Sequence, residues 1–259
     1  MSDVGTDGLI NLYKPAGITS AKALYRVRKI TGVRKSGHTG TLDPAAEGVL
    51  VLCLGRATKL VEKVMSLPKV YRATVRLGVT SATLDSEGPL EPVTVGAIPA
   101  ESDVRAALGR FCGPIQQVPP QVSAIKIGGV ASYKLVRQGK NPTLNPRPVK
   151  IYWICLHGYA WPTVDIEMAC GRGTYVRSLV RDLGKRLGTG GCLAHLTRVA
   201  VGPFHVKAAA GFDALQTPTG TRYILPAQEA VQLLEREAGR IPPAPPGSQA
   251  WACSAPHRP

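Results

Sequence analysis

The stretch Gly37-His38-Thr39-Gly40-Thr41-Leu42-Asp43-Pro44-Ala45-Ala46-Glu47-Gly48-Val49-Leu50 decides how the chain reads. Its second half opens the run Gly48 to Leu54, which is apolar throughout and too short for a helix, so it reads as a buried strand. Its first half is a loop of small residues carrying one acid. Asp43 precedes Pro44, which biases its backbone toward an extended conformation. Between Gly8 and Leu84 there are thirteen Lys or Arg, and only Asp43, Glu47 and Glu62 oppose them. A lone acid beside glycines, in a region built to attract anions, is placed for chemistry rather than for solubility.

Upstream, a helix is expected from about Ala21 to Ile30, capped by Ser20 and closed by Gly32. Leu24 and Val27 would face inward, and Lys22, Arg26 and Lys29 would form a cationic stripe three and four residues apart. Downstream, Val70 to Leu77 alternates strictly. Tyr71, Ala73, Val75 and Leu77 share the face toward the interior or a cleft, and Arg72, Thr74 and Arg76 share the other. A turn is expected at Asp85 to Pro89, and a short helix capped by Ser102. The segment from Gly113 to Pro148 is rich in Pro and Gly and reads as loops with short strands. Strands follow at Lys150 to Leu156 and Thr163 to Cys170, then helices at Tyr175 to Leu187 and Ala227 to Glu237. Locally paired strands crossed by helices favour an α+β class.

A chain of 259 residues can bury one substantial core with a small appendage. Its formal charge of +15 makes a polyanion the expected partner, nucleic acid first. A membrane surface is the rival, but no long apolar segment supports it, and the acidic N-terminus lacks a signal-peptide core. A cytoplasmic protein is expected. The six cysteines contain no Cys-x-x-Cys pair. Cys192 and His195 have ligand-like spacing without a second pair, so no metal is assigned, and the thiols are expected to stay reduced.

Arg177 falls in the first turn of its expected helix, where the macrodipole disfavours a cation. A cation in that position calls for an anionic partner. Asp43 is the attractive candidate, and an ion pair with Arg177 would keep it ionised, as a nucleophile requires; the plainer readings are a solvated arginine and an Asp-Pro turn residue.

Five ordered segments carry a resemblance to a known family. The motif from Gly37 to Leu50 resembles the catalytic motif of TruB-type pseudouridine synthases, which convert uridine 55 in the T loop of tRNA to pseudouridine. Leu12-Tyr13-Lys14-Pro15, with Gly17, Thr19 and Ser20, is similar to the family's N-terminal motif. Lys69 to Ala73 is similar to its tyrosine motif, and Pro119-Pro120 with Ser123, Ala124 and Lys126 to its middle segment. Cys170 to Leu179 is similar to its late arginine motif. Ala82 and Val122 depart from residues common in the family, an aspartate and a tyrosine.

The resemblance implies a pseudouridine synthase fold, with a mixed central sheet flanked by helices and loops. It implies Asp43 as nucleophile, Tyr71 stacking on the flipped base, and Arg177 paired with Asp43. It further implies His38 at the reorganised T loop, Asp85 near the arginine, and Leu196 lining the uracil pocket. The reaction is an isomerisation, so no cofactor is expected, and the sequence carries no phosphate loop or dinucleotide fingerprint. The expected partner is the T-stem-loop of tRNA, and the expected state is a monomer. The expected organisation is a catalytic domain over 8–210, a short helical extension over 211–240 without a full PUA domain, and a Pro-rich disordered tail over 241–259. Two other readings remain at this point. One is a non-catalytic RNA-binding or tRNA-folding protein; the other is a guide-RNA-dependent synthase acting on ribosomal RNA.

Overall fold

In chain order the described residues, 7–252 of a computed structural model, form β1 (Gly8–Lys14), α1 (Ser20–Thr31), β2 (Ser36–His38), β3 (Glu47–Leu54) and α2 (Val61–Ser66). Then come β4 (Lys69–Leu77), α3 (Glu101–Gly109), β5 (Gly113–Gln117), β6 (Arg147–Ala160) and β7 (Thr163–Cys170). The remainder holds α4 (Val176–Leu187), β8 (Gly191–Val201), β9 (Ile224–Pro226), α5 (Ala227–Arg236) and β10 (Trp251–Ala252), with shorter pieces between. The contacts divide the chain into two units. One comprises the chain to Arg72 with Leu196–Pro243, the other Ala73–His195 with the chain from Ala244. Strands β4 and β8 each contribute residues to both.

The first unit is built around β3. Its unbroken apolar sequence is explained by burial on both faces. Val49, Val51 and Cys53 pack with Leu9 of β1, Val64 of α2, and Ala230 and Leu234 of α5. Leu50, Leu52 and Leu54 pack on the other side with Ile10 and Leu12 of β1, and with Ala23, Leu24 and Val27 of α1. Full burial of such a side chain stabilises by about 1.5–3 kcal/mol, so β3 alone anchors much of this unit. β1 runs antiparallel to β3, from Gly8 opposite Leu54 to Lys14 opposite Gly48. β8 joins β3 in parallel, with Thr197 opposite Glu47 and Arg198 opposite Gly48. The sheet is therefore mixed and the class α+β, as the sequence predicts.

Helix α1 ends where expected, at Gly32 with a φ of 72°. Its start differs from expectation. Thr19 is the cap, accepting from the Lys22 amide at 3.1 Å, and Ser20 is the first helical residue. The Ser20 hydroxyl is used elsewhere, as described below.

In the second unit, β6 and β7 form a long antiparallel pair, and β5 and β10 also pair with β6. These partners extend β6 well beyond the span predicted from its sequence. The segment read as loops with short strands contributes the strand Gly113–Gln117, whose proline and polar residues hide its bounds. Helix α3 begins at Glu101 rather than after Ser102; the Asp103 carboxylate accepts from the Ala100 amide at 2.9 Å and closes its first turn. In β4 the predicted alternation holds: Tyr71, Ala73, Val75 and Leu77 are buried, and Arg72 and Arg76 are exposed. Among the described residues no helix is long and apolar enough to cross a membrane. In the Pro-rich tail, β10 lies on β6, and residues 253–259 fall outside the described residues.

Candidate active site

The first unit holds the Asp43 loop. It leaves β2, passes through Thr39 to Ala46, and enters β3. Every backbone carbonyl from Gly40 to Pro44 accepts a hydrogen bond, and most of the donors are buried. Arg198, 2% exposed on β8, donates to the Gly40 carbonyl at 3.2 Å and to that of Thr41 at 3.4 Å, and its Nε reaches Val49 at 2.7 Å. The Ser20 hydroxyl donates to the Leu42 carbonyl at 3.0 Å and accepts from the Leu42 amide at 2.9 Å. The Asp43 carbonyl accepts from the Ala46 amide at 3.1 Å. The Pro44 carbonyl accepts from Gly17 at 2.9 Å and from Lys14 Nζ at 3.3 Å.

Lys14 is wholly buried, and its ammonium also donates to the carbonyls of Pro15 and Ile18, each at 2.8 Å. A buried cation is costly unless its hydrogens are satisfied. Here three carbonyls take them, two from the turn after β1 and one from the Asp43 loop. The Lys14-Pro15 pair thus shapes the backbone of the Asp43 loop. Thr39 fastens the other end, donating through both its amide and its hydroxyl to Val51. Asp43 itself stands half-buried on a loop whose backbone has little freedom left. A reactive group held in this way meets its substrate without first having to be ordered.

His38, on β2 opposite Leu52, is half-buried, and its Nδ1 has no hydrogen-bond partner among the described residues. Burial, and secondarily the Arg198 guanidinium, push the imidazole below its ordinary pKa and keep it neutral at neutral pH. Tyr71 and Leu196 belong to the same unit and are both buried, Tyr71 near the start of β4 and Leu196 on β8. Glu47, at the entry to β3, accepts from the Tyr13 hydroxyl at 2.8 Å and from Thr197 at 3.3 Å.

The second unit holds Arg177, 5% exposed in the first turn of α4. Its guanidinium donates to the carbonyls of Thr83 at 2.9 Å and Val122 at 3.0 Å. The Asp85 carboxylate lies 3.6 Å from its Nη1, and both side chains are almost fully buried. The two residues expected near one another are therefore together. Asp85 sits in a turn in which Leu84 has a φ of 63°, a left-handed conformation uncommon for leucine. That turn is tied to β8 by Leu84 and Ser86 bonding Leu193 at 3.0 and 3.1 Å.

The start of α4 is fixed by several side chains, of which the sequence reading passed over Gln117. Gln117, buried at the end of β5, accepts from the Tyr175 amide at 2.8 Å and donates to the Tyr175 carbonyl at 3.1 Å. Ser178 and Arg181 both donate to the Val118 carbonyl, at 2.8 and 3.0 Å. These contacts set the register of α4 and hence the direction of Arg177. Asp43 and Arg177 belong to different units.

Residues 28–176 match the family model described as TruB family pseudouridylate synthase, N-terminal domain. The chain is 41% identical over 245 residues to tRNA pseudouridine synthase B of Syntrophus aciditrophicus, covering 91% of this chain and 78% of that protein. It is 44% identical over 214 residues to the protein of the same name from Burkholderia pseudomallei, covering 82% and 70%. Among solved structures it is similar to one titled as a Cbf5-Nop10-Gar1 complex, with a TM-score of 0.69 and 28% identity. That match covers 88% of this chain and 62% of the other, so this chain spans less than two thirds of that one. The mixed-sheet α+β architecture is accordingly the pseudouridine synthase fold.

Proposed function

The chain belongs to the TruB family of pseudouridylate synthases, and on that footing we propose that it isomerises uridine 55 in the T loop of tRNA to pseudouridine, with Asp43 as the nucleophile. The observation that carries this reading is the Asp43 loop, with its five successive carbonyls from Gly40 to Pro44 all engaged.

The reaction breaks the C1′–N1 bond, turns the uracil, and forms a C1′–C5 bond. The proton leaves C5 and one is gained at N1, so atoms and electrons balance with no cofactor. Asp43 assists the first bond cleavage, and Arg177 is the cation this reading assigns to the reaction. Tyr71 stacks on the extruded base, an extrusion that costs a few kcal/mol and is favoured in an unstacked loop. His38 lies against the reorganised T loop, and Leu196 lines the uracil pocket. Asp85 positions Arg177 through the contact at 3.6 Å.

The test uses a tRNA transcript tritiated at C5 of uridine, with wild-type and Asp43→Asn protein. Tritium release by wild type alone, mapped to position 55 and with RNA binding retained by the variant, is the expected result. Equal binding with no release from either protein leaves a tRNA-folding role instead. The similarity to the Cbf5 structure supports a second reading, a guide-dependent synthase. Activity on a bare T-stem-loop, without any other RNA, excludes it.

A further inference from the structure

The outer face of α1 has no part in the site described above, and its composition is unusual for a merely solvated helix. Lys22, Tyr25, Arg26 and Lys29 are all exposed and lie on one side, opposite the buried Ala23, Leu24 and Val27. The helix contains no acidic residue at all. Lys22 and Arg26 are four residues apart, and Arg26 and Lys29 three, so the cations repel one another at the spacings where a solvated helix usually alternates its signs. Lys22 also sits in the first turn, against the macrodipole.

Two of these cations rest on aromatic rings. Lys29 Nζ is 4.9 Å from the Tyr25 ring centre, and the Arg26 guanidinium is 4.2 Å from that of Phe212. A ring orients a cation without neutralising it, so the charge stays available to an anion. The nearby acid is Asp213, 3.8 Å from Arg26 and 99% exposed, a surface pair of the kind worth little in water.

Beside this face lies an open groove of about 540 Å³. Ile30, Leu215 and Ile224 are among its lining, and Arg26, Lys29 and Thr217 add cationic and hydroxyl groups. From Lys22 to Lys29 the helix rises about 10 Å, the span of about three phosphates at the axial spacing of one nucleic-acid strand.

We propose that this face of α1 and the adjoining groove are a second RNA contact, gripping the phosphodiester backbone of the substrate outside the loop that is modified, with Tyr25 against an exposed base or sugar. The proposal rests on the reading of the chain as a tRNA-modifying enzyme. A single strand or a stem edge fits better than a protein partner, because the patch offers charge and one aromatic ring rather than a broad apolar surface.

The experiment measures the affinity of the full chain for two RNAs, an unmodified full-length tRNA transcript and its isolated T-arm hairpin, over a salt series. Three proteins are compared: wild type, the triple variant Lys22→Gln/Arg26→Gln/Lys29→Gln, and the charge-keeping triple variant Lys22→Arg/Arg26→Lys/Lys29→Arg. The neutral variant should bind the tRNA about tenfold more weakly, with a salt slope smaller by about 2 to 3. The hairpin should lose less, and the charge-keeping variant should bind like wild type. Thermal melts establish that all three fold. Equal tRNA affinity and equal salt slope for wild type and the neutral variant overturn the proposal, and so does an equal loss on both RNAs. Pseudouridine formation by wild type on the same transcript is scored in parallel. If wild type forms none, the assigned activity fails, while the binding comparison still decides the role of α1.

Discussion

Ser20 and Leu42 are joined in both directions: the Ser20 hydroxyl donates to the Leu42 carbonyl at 3.0 Å and accepts from the Leu42 amide at 2.9 Å. The contact bridges the first residue of α1 to the residue just before Asp43, and the hydroxyl is buried. Removing it orphans a buried donor and a buried acceptor together, each costing about 1–3 kcal/mol. Ser20→Ala is therefore expected to lower the urea midpoint at unchanged slope, by about 2 kcal/mol of stability or more. It should also lower kcat about tenfold, because the Asp43 loop loses its fixed geometry. A variant with wild-type kcat would show that the bond serves stability alone.

Arg198 is expected to act on the same loop from the opposite side. Arg198→Met leaves the carbonyls of Gly40, Thr41 and Val49 without these donors and should destabilise by more than about 2 kcal/mol. Arg198→Lys restores the charge but cannot reach all three carbonyls from one ammonium. It should recover part of the stability and little of kcat.

The same arginine adds to the depression of the His38 pKa, though burial is the larger cause. A native pKa below the unfolded value near 6.5 means the unfolded chain binds the proton first as pH falls. The contribution of His38 to stability is thus complete above about pH 6.5, and it is lost as pH falls from there through the native pKa. His38→Gln should flatten that part of the stability profile. In an NMR titration, Arg198→Met should move the imidazole upward while leaving it below the ordinary value. An unshifted or downward-moving titration contradicts this account.

Much of the fold and part of the site are legible in the sequence, for reasons that differ from residue to residue. β3 reads as buried because Gly48 to Leu54 is apolar at every position, and the two faces of its packing explain that. β4 reads correctly because its alternation of Tyr71, Ala73, Val75 and Leu77 is strict. The cation in the first turn of α4 signals an anionic partner, which the residue pattern assigns to Asp43; Asp85 is an acid that stands beside it. The clamps on the Asp43 loop are not legible in this way. Lys14, Ser20 and Arg198 hold backbone carbonyls, and a carbonyl leaves no trace in residue type. One signal was present for Arg198: it shares the inward face of β8 with Leu196 and Ala200, where a cation is out of place. Gln117 is hidden differently, within a proline-rich stretch whose strand is recognisable only from its pairing with β6.

Asp85→Asn tests the buried pair in the second unit. The substitution keeps the shape and the oxygen that accepts from the Glu87 amide at 3.2 Å, but removes the charge facing Arg177. Breaking a buried pair from one side costs about 3–5 kcal/mol, and the retained shape places this variant near the lower end. Activity should fall with stability, because Arg177 loses a contact that fixes its position. Arg177→Lys should be worse, since its bonds to Thr83 and Val122 need the planar fork. Denaturant melts of both variants beside tritium release give the comparison, and a milder effect of Arg177→Lys counts against this ranking.

Gly48 is the position in the motif where the least change should do the most harm. Its φ of +105° lies in the region L side chains rarely adopt, and a Cβ there would stand 2.3 Å from the Arg198 carbonyl oxygen. That oxygen belongs to the backbone of β8, paired with β3 at this very residue, so it cannot turn aside as a side chain would. Gly48→Ala therefore forces β3 and β8 apart beside the loop that Arg198 and Lys14 hold. Local strain of about 1–3 kcal/mol adds to the steric displacement. The variant should express poorly or melt well below wild type, and any folded fraction should have lost most of its turnover. Gly40→Ala is the matching control: its φ of +127° carries strain too, but no atom lies within 4 Å of its added Cβ. It should lose only the strain contribution. If both variants melt alike, the close approach of β8 is not what requires glycine at position 48.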